Sequence, residues 1–287
     1  QHNIASNLAF YVISMHKTGS SSVYNTIKYL YPEDIVSHLH HLHIPLKHYE
    51  YRNPRFQIYT EYYKSIYLAS SLVNTNKALN IVSIVRDPLA RSISLFFHLL
   101  GNYQLLYGKK SISNDTDKLV QFFVNSEFSI KEAEKDFFSD ELERFTDINI
   151  YEHKFSHEKG YNIIRGAHAN ILLLKLENLK KVFEGAMQEF MGVNTPFKLQ
   201  STNVAKNKSY SDSYSLFKER LEVPQSLIDQ YYNSHWVQHF YADSEIQLLK
   251  SRWSCGDSYY RRQGNPLFDE LEDAMSFEQY YDLTVNM

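Results

Sequence analysis

Residues 7–31 read NLAFYVISMHKTGSSSVYNTIKYLY, and this stretch decides the fold. Its first part, 7–15, is a continuous apolar run with aromatic and β-branched residues, the pattern of a strand buried on both faces. The run stops at His16, and 16–22 (HKTGSSS) supplies turn chemistry and N-cap hydroxyls. Apolar residues resume at Val23, Ile27 and Leu30, the spacing of one face of a helix that lasts to Tyr31. A buried strand, a loop of small residues and an amphipathic helix form the opening unit of a parallel α/β sheet.

Working outward, Pro32 closes that helix, and 33–42 (EDIVSHLHHL) reads as a second strand running into a histidine cluster. A Tyr-rich helix is predicted over 59–70. The opening pattern returns at 78–85 (ALNIVSIV), followed by Arg86, with Asp87 as N-cap, Pro88 in the first helical position and a helix over 89–100. Residues 119–123 and 130–139 read as helical and 148–152 as short and extended. A third buried strand, 169–176 (ANILLLKL), precedes a helix over 179–191, and 224–232 and 243–253 are predicted C-terminal helices. This alternation predicts an α/β fold, a central parallel sheet with helices on both faces. The expected organisation is one domain over 1–287, with a core of about 7–192 and a helical C-terminal part of about 203–287.

Composition bounds the partners. The chain has 287 residues, 43% of them hydrophobic and 22% charged, which is ordinary globular usage and excludes disorder and coiled coil. Thirty Lys and Arg against 33 Asp and Glu give a net charge of -3, so no global basic field draws in nucleic acid and any anion must be met locally. The single cysteine, Cys255, forms neither an internal disulfide nor a CxxC metal site. No run approaches the roughly 18 apolar residues of a membrane span. A cytoplasmic chain without a metal is the expectation.

In an open parallel sheet, ligands sit at the carboxyl ends of the strands, where helix N-termini offer unpaired N–H groups and partial positive charge. Lys17, Thr18, Gly19, Ser20, Ser21 and Ser22 fall there. Gly19 permits close backbone approach to an oxyanion, the hydroxyls and amides donate, and Lys17 adds a mobile charge. The loop is not the nucleoside triphosphatase sequence G-x-x-x-x-G-K-[ST], because its lysine precedes the glycine. Arg86 at the end of the 78–85 strand and Ser94 in the following helix make a second anion element. Each element alone also reads as structure: an ordinary N-cap for the first, an Arg–carboxylate pair for the second.

Together, HKTGSSS and RDPLARSISLF resemble the two nucleotide-binding elements of sulfotransferases that use 3′-phosphoadenosine 5′-phosphosulfate, and LLLKLENL at 172–179 is similar to a later strand of that family. Residues 148–161 and 203–253 further resemble the group of capsular polysaccharide synthesis proteins. The resemblance implies a nucleoside-triphosphatase-like sulfotransferase fold and the phosphosulfate donor as co-substrate, with no metal. It also implies transfer of the sulfuryl group to a hydroxyl on a saccharide. Lys17 is implied at the bridging oxygen and sulfuryl group, Thr18 to Ser22 at the 5′-phosphate, and Arg86 and Ser94 at the 3′-phosphate. Lys206 and Lys208 fall in the late loop that covers the donor in that family, Lys208 being the donor-binding candidate. Two solvated lysines are the equal alternative.

A neutral acceptor hydroxyl needs a base. His38, His40, His41 and His43 end the second strand, and strand alternation places His38 and His40 on one face and His41 and His43 on the other. His40 is the favoured base and His38 its neighbour on that face, because imidazole titrates near neutrality; Glu61 is the alternative. Trp253, Phe240 and Tyr241 read as packing residues. A nucleotide or sugar kinase, and a nucleotide-binding module without catalysis, remain the competing functions.

Overall fold

The structure is a computed structural model that describes residues 9–42, 78–107, 115–200 and 211–254. Outside them lie the predicted helix over 59–70, Glu61, His43, Lys206, Lys208 and Cys255. In chain order the elements are β1 (Ala9–Ile13), α1 (Ser20–Leu30), β2 (Ile35–Leu39), β3 (Leu79–Val85), α2 (Pro88–Tyr107), α3 (Thr116–Asn125) and α4 (Glu127–Glu134). A π-helical turn, Phe138–Glu143, leads through short helical turns to β4 (Tyr161–Arg165) and β5 (Ala169–Lys175). Then follow α5 (Leu179–Met191), α6 (Ser211–Arg220), α7 (Gln225–Tyr232), α8 (His235–Phe240) and α9 (Asp243–Trp253).

The fold is α/β. Two compact units divide the chain, one of residues 1–86 and 137–203, the other of 87–136 and 204–287. The first holds a five-stranded sheet in the order β2-β1-β3-β5-β4. β1 pairs in parallel with β2 and β3, β3 with β5, and only β4 runs antiparallel, against β5. One face carries Phe10, Val12, Val82, Ile84, Leu172 and Leu174, against which α1 sets Val23 and Ile27 and α5 sets Leu179, Phe183, Met187 and Phe190. Those helical residues recur at three and four, so each helix turns one stripe inward; each fully buried side chain contributes about 1.5–3 kcal/mol. Tyr11, Ile13, Ile81, Ile171 and Leu173 on the opposite face are buried too, and this double burial is what the unbroken apolar runs announced.

The second unit is helical. Asp87 caps α2, its Oδ1 accepting from the amides of Leu89 (3.1 Å) and Ala90 (3.4 Å), as the Asp-Pro start signal predicts. The same carboxylate accepts from the Tyr232 hydroxyl (2.6 Å) and the Trp253 indole (3.3 Å), so α7 and α9 are tied to the start of α2. Trp253, Phe240 and Tyr241 are buried packing residues, as read. Arg91 and Glu132 form a buried ion pair between α2 and α4.

Three elements differ from expectation. The helix predicted over 130–139 ends at Glu134 and restarts as the π-helical turn, and 148–152 closes into a 3-10 turn, Ile150–Glu152, where the Asn149 side chain accepts from the Tyr151 amide at 2.9 Å. β4 was not foreseen. It is a short edge strand with one buried residue, Ile164, so it shows no buried-strand run. Among the described residues no helix is long and apolar enough to cross a membrane.

Candidate functional site

From β1 the chain crosses to one side for β2 and to the other for β3, so the carboxyl ends of β1 and β3 flank the point where the strand order reverses. Such a point opens a crevice where ligands of α/β sheets bind. Arg86, the first residue past β3, reaches the loop that leaves β1: its Nη1 donates to the backbone carbonyl of Lys17 at 2.7 Å. The two anion elements read from the sequence are therefore bonded to each other.

The loop backbone is unusual. Lys17 has φ 66° and Gly19 φ 82°, both in the left-handed region. A side chain there costs about 1–2 kcal/mol, and such strain gathers at functional sites. At Gly19 the demand is double, since a Cβ would also lie 2.7 Å from Cδ1 of Leu176. Gly19 is the N-cap of α1, which has no side-chain cap and no acidic residue in its first turn. The positive end of α1 thus meets no carboxylate of its own first turn, the arrangement that receives an anion.

The hydroxyls divide by role. Thr18 is buried and its hydroxyl donates to the Met15 carbonyl at 3.0 Å, beside Ser14 Oγ at 3.0 Å, so this side chain shapes the loop. Ser20 Oγ lies 2.8 Å from His38 Nε2. Ser21 and Ser22 are half-buried in the first turn, with the Ser22 amide bonded to the Gly19 carbonyl at 3.1 Å. Ser94 sits in the second unit, half-buried on α2. At the carboxyl end of β5, in register with Val85, Lys175 is fully buried with its ammonium 5.8 Å from the Phe155 ring. The sequence placed no role on it.

Four imidazoles collect beside the loop. His40 Nδ1 is 2.7 Å from the Ser14 carbonyl, which only accepts, so Nδ1 carries the hydrogen and in the neutral ring the lone pair is on Nε2. The His38 and His40 rings meet edge to face at 4.6 Å, and His16 lies over His40 at 3.9 Å. His41 joins them, its Nε2 3.3 Å from that of His16. Strand alternation had assigned His41 to the opposite face; β2 ends at Leu39, so alternation no longer governs the residues beyond it. Behind His41 stands Glu141 of the π-helical turn, its Oε1 3.6 Å from His41 Nδ1 and its Oε2 accepting from the Leu42 amide at 2.7 Å. His41 and Glu141 are each about nine-tenths buried. His16 was legible as a neighbour of Lys17. Glu141, about a hundred residues away in the chain, left no local signal. Among the described residues no three His, Cys, Asp or Glu are grouped to hold a metal ion.

The family model described as "Putative capsular polysaccharide synthesis protein" matches residues 111–242. That segment holds the π-helical turn with Glu141, β4, β5 and α5, whereas the Lys17 loop and Arg86 precede it. No curated protein matches the chain.

Proposed function

We propose that this protein transfers a sulfuryl group from 3′-phosphoadenosine 5′-phosphosulfate to a hydroxyl of a saccharide. The observation that carries the reading is the Arg86–Lys17 bond, which joins the two loops read as anion elements at the reversal point of the sheet. A donor with two separated phosphate groups calls for two such elements, and the matched family's description favours a saccharide as acceptor.

On this reading the α1 N-terminus and the amides around Gly19 hold the 5′-phosphosulfate. Arg86 meets the 3′-phosphate. The acceptor oxygen forms its bond to sulfur as the bond from sulfur to the phosphate oxygen breaks, and the acceptor's proton passes to the imidazole cluster. Lys17 stabilises the charge that grows on the leaving phosphate, the electrostatic contribution on which such group transfer chiefly depends.

The test is incubation with donor labelled in the sulfuryl group and a panel of polysaccharides and oligosaccharides. Label in a saccharide product, lost in Lys17→Ala, is the expected result. Label transfer from the γ-position of ATP to the same acceptors would replace this reading with a kinase.

A further inference from the structure

Ser20 opens α1 directly after Gly19, and its side chain is almost wholly buried. Its Oγ lies 2.8 Å from His38 Nε2, a full hydrogen bond between the first residue of α1 and a residue of β2. One helical turn further on, the Tyr24 ring stacks on the same imidazole, with centroids 5.5 Å apart and planes 20° from parallel. Ser20 and Tyr24 stand four apart on one face of α1, and that face clasps His38. The ring is further held by its edge-to-face contact with His40 and by the pairing of β2 with β1, in which His38 stands opposite Val12. The best-fixed contact of His38 is therefore with the start of α1, the same helix end that the sulfuryl-transfer reading gives to the donor.

We infer that His38 is a positioning residue of the donor site, which holds the Ser20 hydroxyl ready to donate to a 5′-phosphate oxygen of the nucleotide. This rests on the sulfuryl-transfer reading for the identity of the ligand. A serine hydroxyl rotates freely and has one hydrogen to give, so a group that fixes its oxygen beforehand lowers the cost of ordering it when the ligand arrives. When a phosphate oxygen takes that hydrogen, Oγ turns a lone pair to the ring and Nε2 donates to it. The imidazole thereby strengthens the hydroxyl as a donor to an anion. His38 then works on affinity for the donor, whereas a general base works on turnover.

Two replacements of nearly equal bulk separate these roles. The side-chain amide of Gln reaches about as far as imidazole Nε2 and can both donate and accept, whereas that of Asn stops at about the place of Nδ1, one bond short of Ser20. Calorimetric titration of the full chain with 3′-phosphoadenosine 5′-phosphate should show roughly 10-fold weaker binding in Ser20→Ala, the loss expected for a hydrogen bond to a charged group. His38→Asn should weaken binding to a similar extent, and His38→Gln should restore most of it. The double variant Ser20→Ala/His38→Asn should bind no more weakly than Ser20→Ala, because the histidine acts through the serine.

Binding at wild-type strength in Ser20→Ala would overturn the inference without any change at His38. Losses that multiply in the double variant would overturn it too, since the two residues would then act separately. With labelled donor, the loss in His38→Asn should fall on the donor concentration needed for half-maximal rate more than on turnover at saturation. A roughly 100-fold fall in turnover at wild-type affinity would make His38 the base and overturn its assignment to the donor loop. Absence of bisphosphate binding in the wild type would overturn the sulfuryl-transfer reading and the inference with it, whereas binding that all the variants retain would overturn the inference alone.

Discussion

Arg86 Nη1 donates to the backbone carbonyl of Lys17 at 2.7 Å, so the first residue past β3 braces the loop that leaves β1. One guanidinium has five donors in a planar fork, enough to hold a carbonyl and still meet a phosphate. Arg86→Ala should weaken binding of 3′-phosphoadenosine 5′-phosphate by about 1.5–3 kcal/mol, the value of hydrogen bonds to charged groups. Arg86→Lys should recover only part of this, because an ammonium cannot serve both partners in one plane. Calorimetric titration of the three proteins measures it, and equal affinities would show that Arg86 only braces the loop.

Lys17 and Gly19 separate strain from chemistry. Lys17→Ala removes the ammonium but keeps a Cβ at φ 66°, whereas Lys17→Gly removes both. Both should lower turnover much more than bisphosphate affinity, since on the proposed reading the lysine's contact strengthens as the leaving phosphate gains charge. In thermal unfolding Lys17→Gly should be the more stable of the two by about 1 kcal/mol. Gly19→Ala should lose stability and weaken nucleotide binding, because φ 82° strains any side chain at the residue that caps α1. A Lys17→Ala enzyme with full turnover would remove Lys17 from the reaction.

Much of this was legible in the sequence, for definite reasons. β1, β3 and β5 are buried on both faces, so their apolar runs could not be mistaken. The loop 16–22 and Arg86 follow two of those runs directly, and the ends of buried strands are where function sits in this architecture. The edge strand β4 buries only Ile164 and left no run to read. The start of α1 at Ser20 rather than Val23 escaped notice because a serine at a helix start reads equally as a cap. His41 was misplaced because strand alternation was carried past Leu39, and Glu141 was not singled out because a contact between residues 42 and 141 has no local pattern.

The buried phenols predict the alkaline limit of stability. Burial raises the pKa of Tyr231 and of Tyr232, the latter further through the Asp87 carboxylate that it faces, and the hydrogen bond to Glu189 pushes Tyr161 up to about 12. Each folded value exceeds the unfolded value near 10, so the stabilisation is complete below about pH 10 and is lost as pH rises toward and through the folded values. Urea midpoints should therefore hold up to about pH 9 and fall above about pH 10. Tyr232→Phe should be less stable by about 1 kcal/mol at pH 7, from the lost bond to Asp87, and show a shallower alkaline decline. Parallel declines in the two proteins would contradict the role given to Tyr232.

The central claim is that the loops joined by Arg86 and Lys17 hold a nucleotide with two separated phosphate groups and need no metal to do so. Its most direct measurement is a calorimetric titration of the full chain with 3′-phosphoadenosine 5′-phosphate in the presence of a chelator, beside a titration with ATP and magnesium. The account predicts saturable binding of the bisphosphate with unchanged affinity when magnesium replaces the chelator, and much weaker binding of ATP. Tight binding of ATP with magnesium and none of the bisphosphate would contradict it.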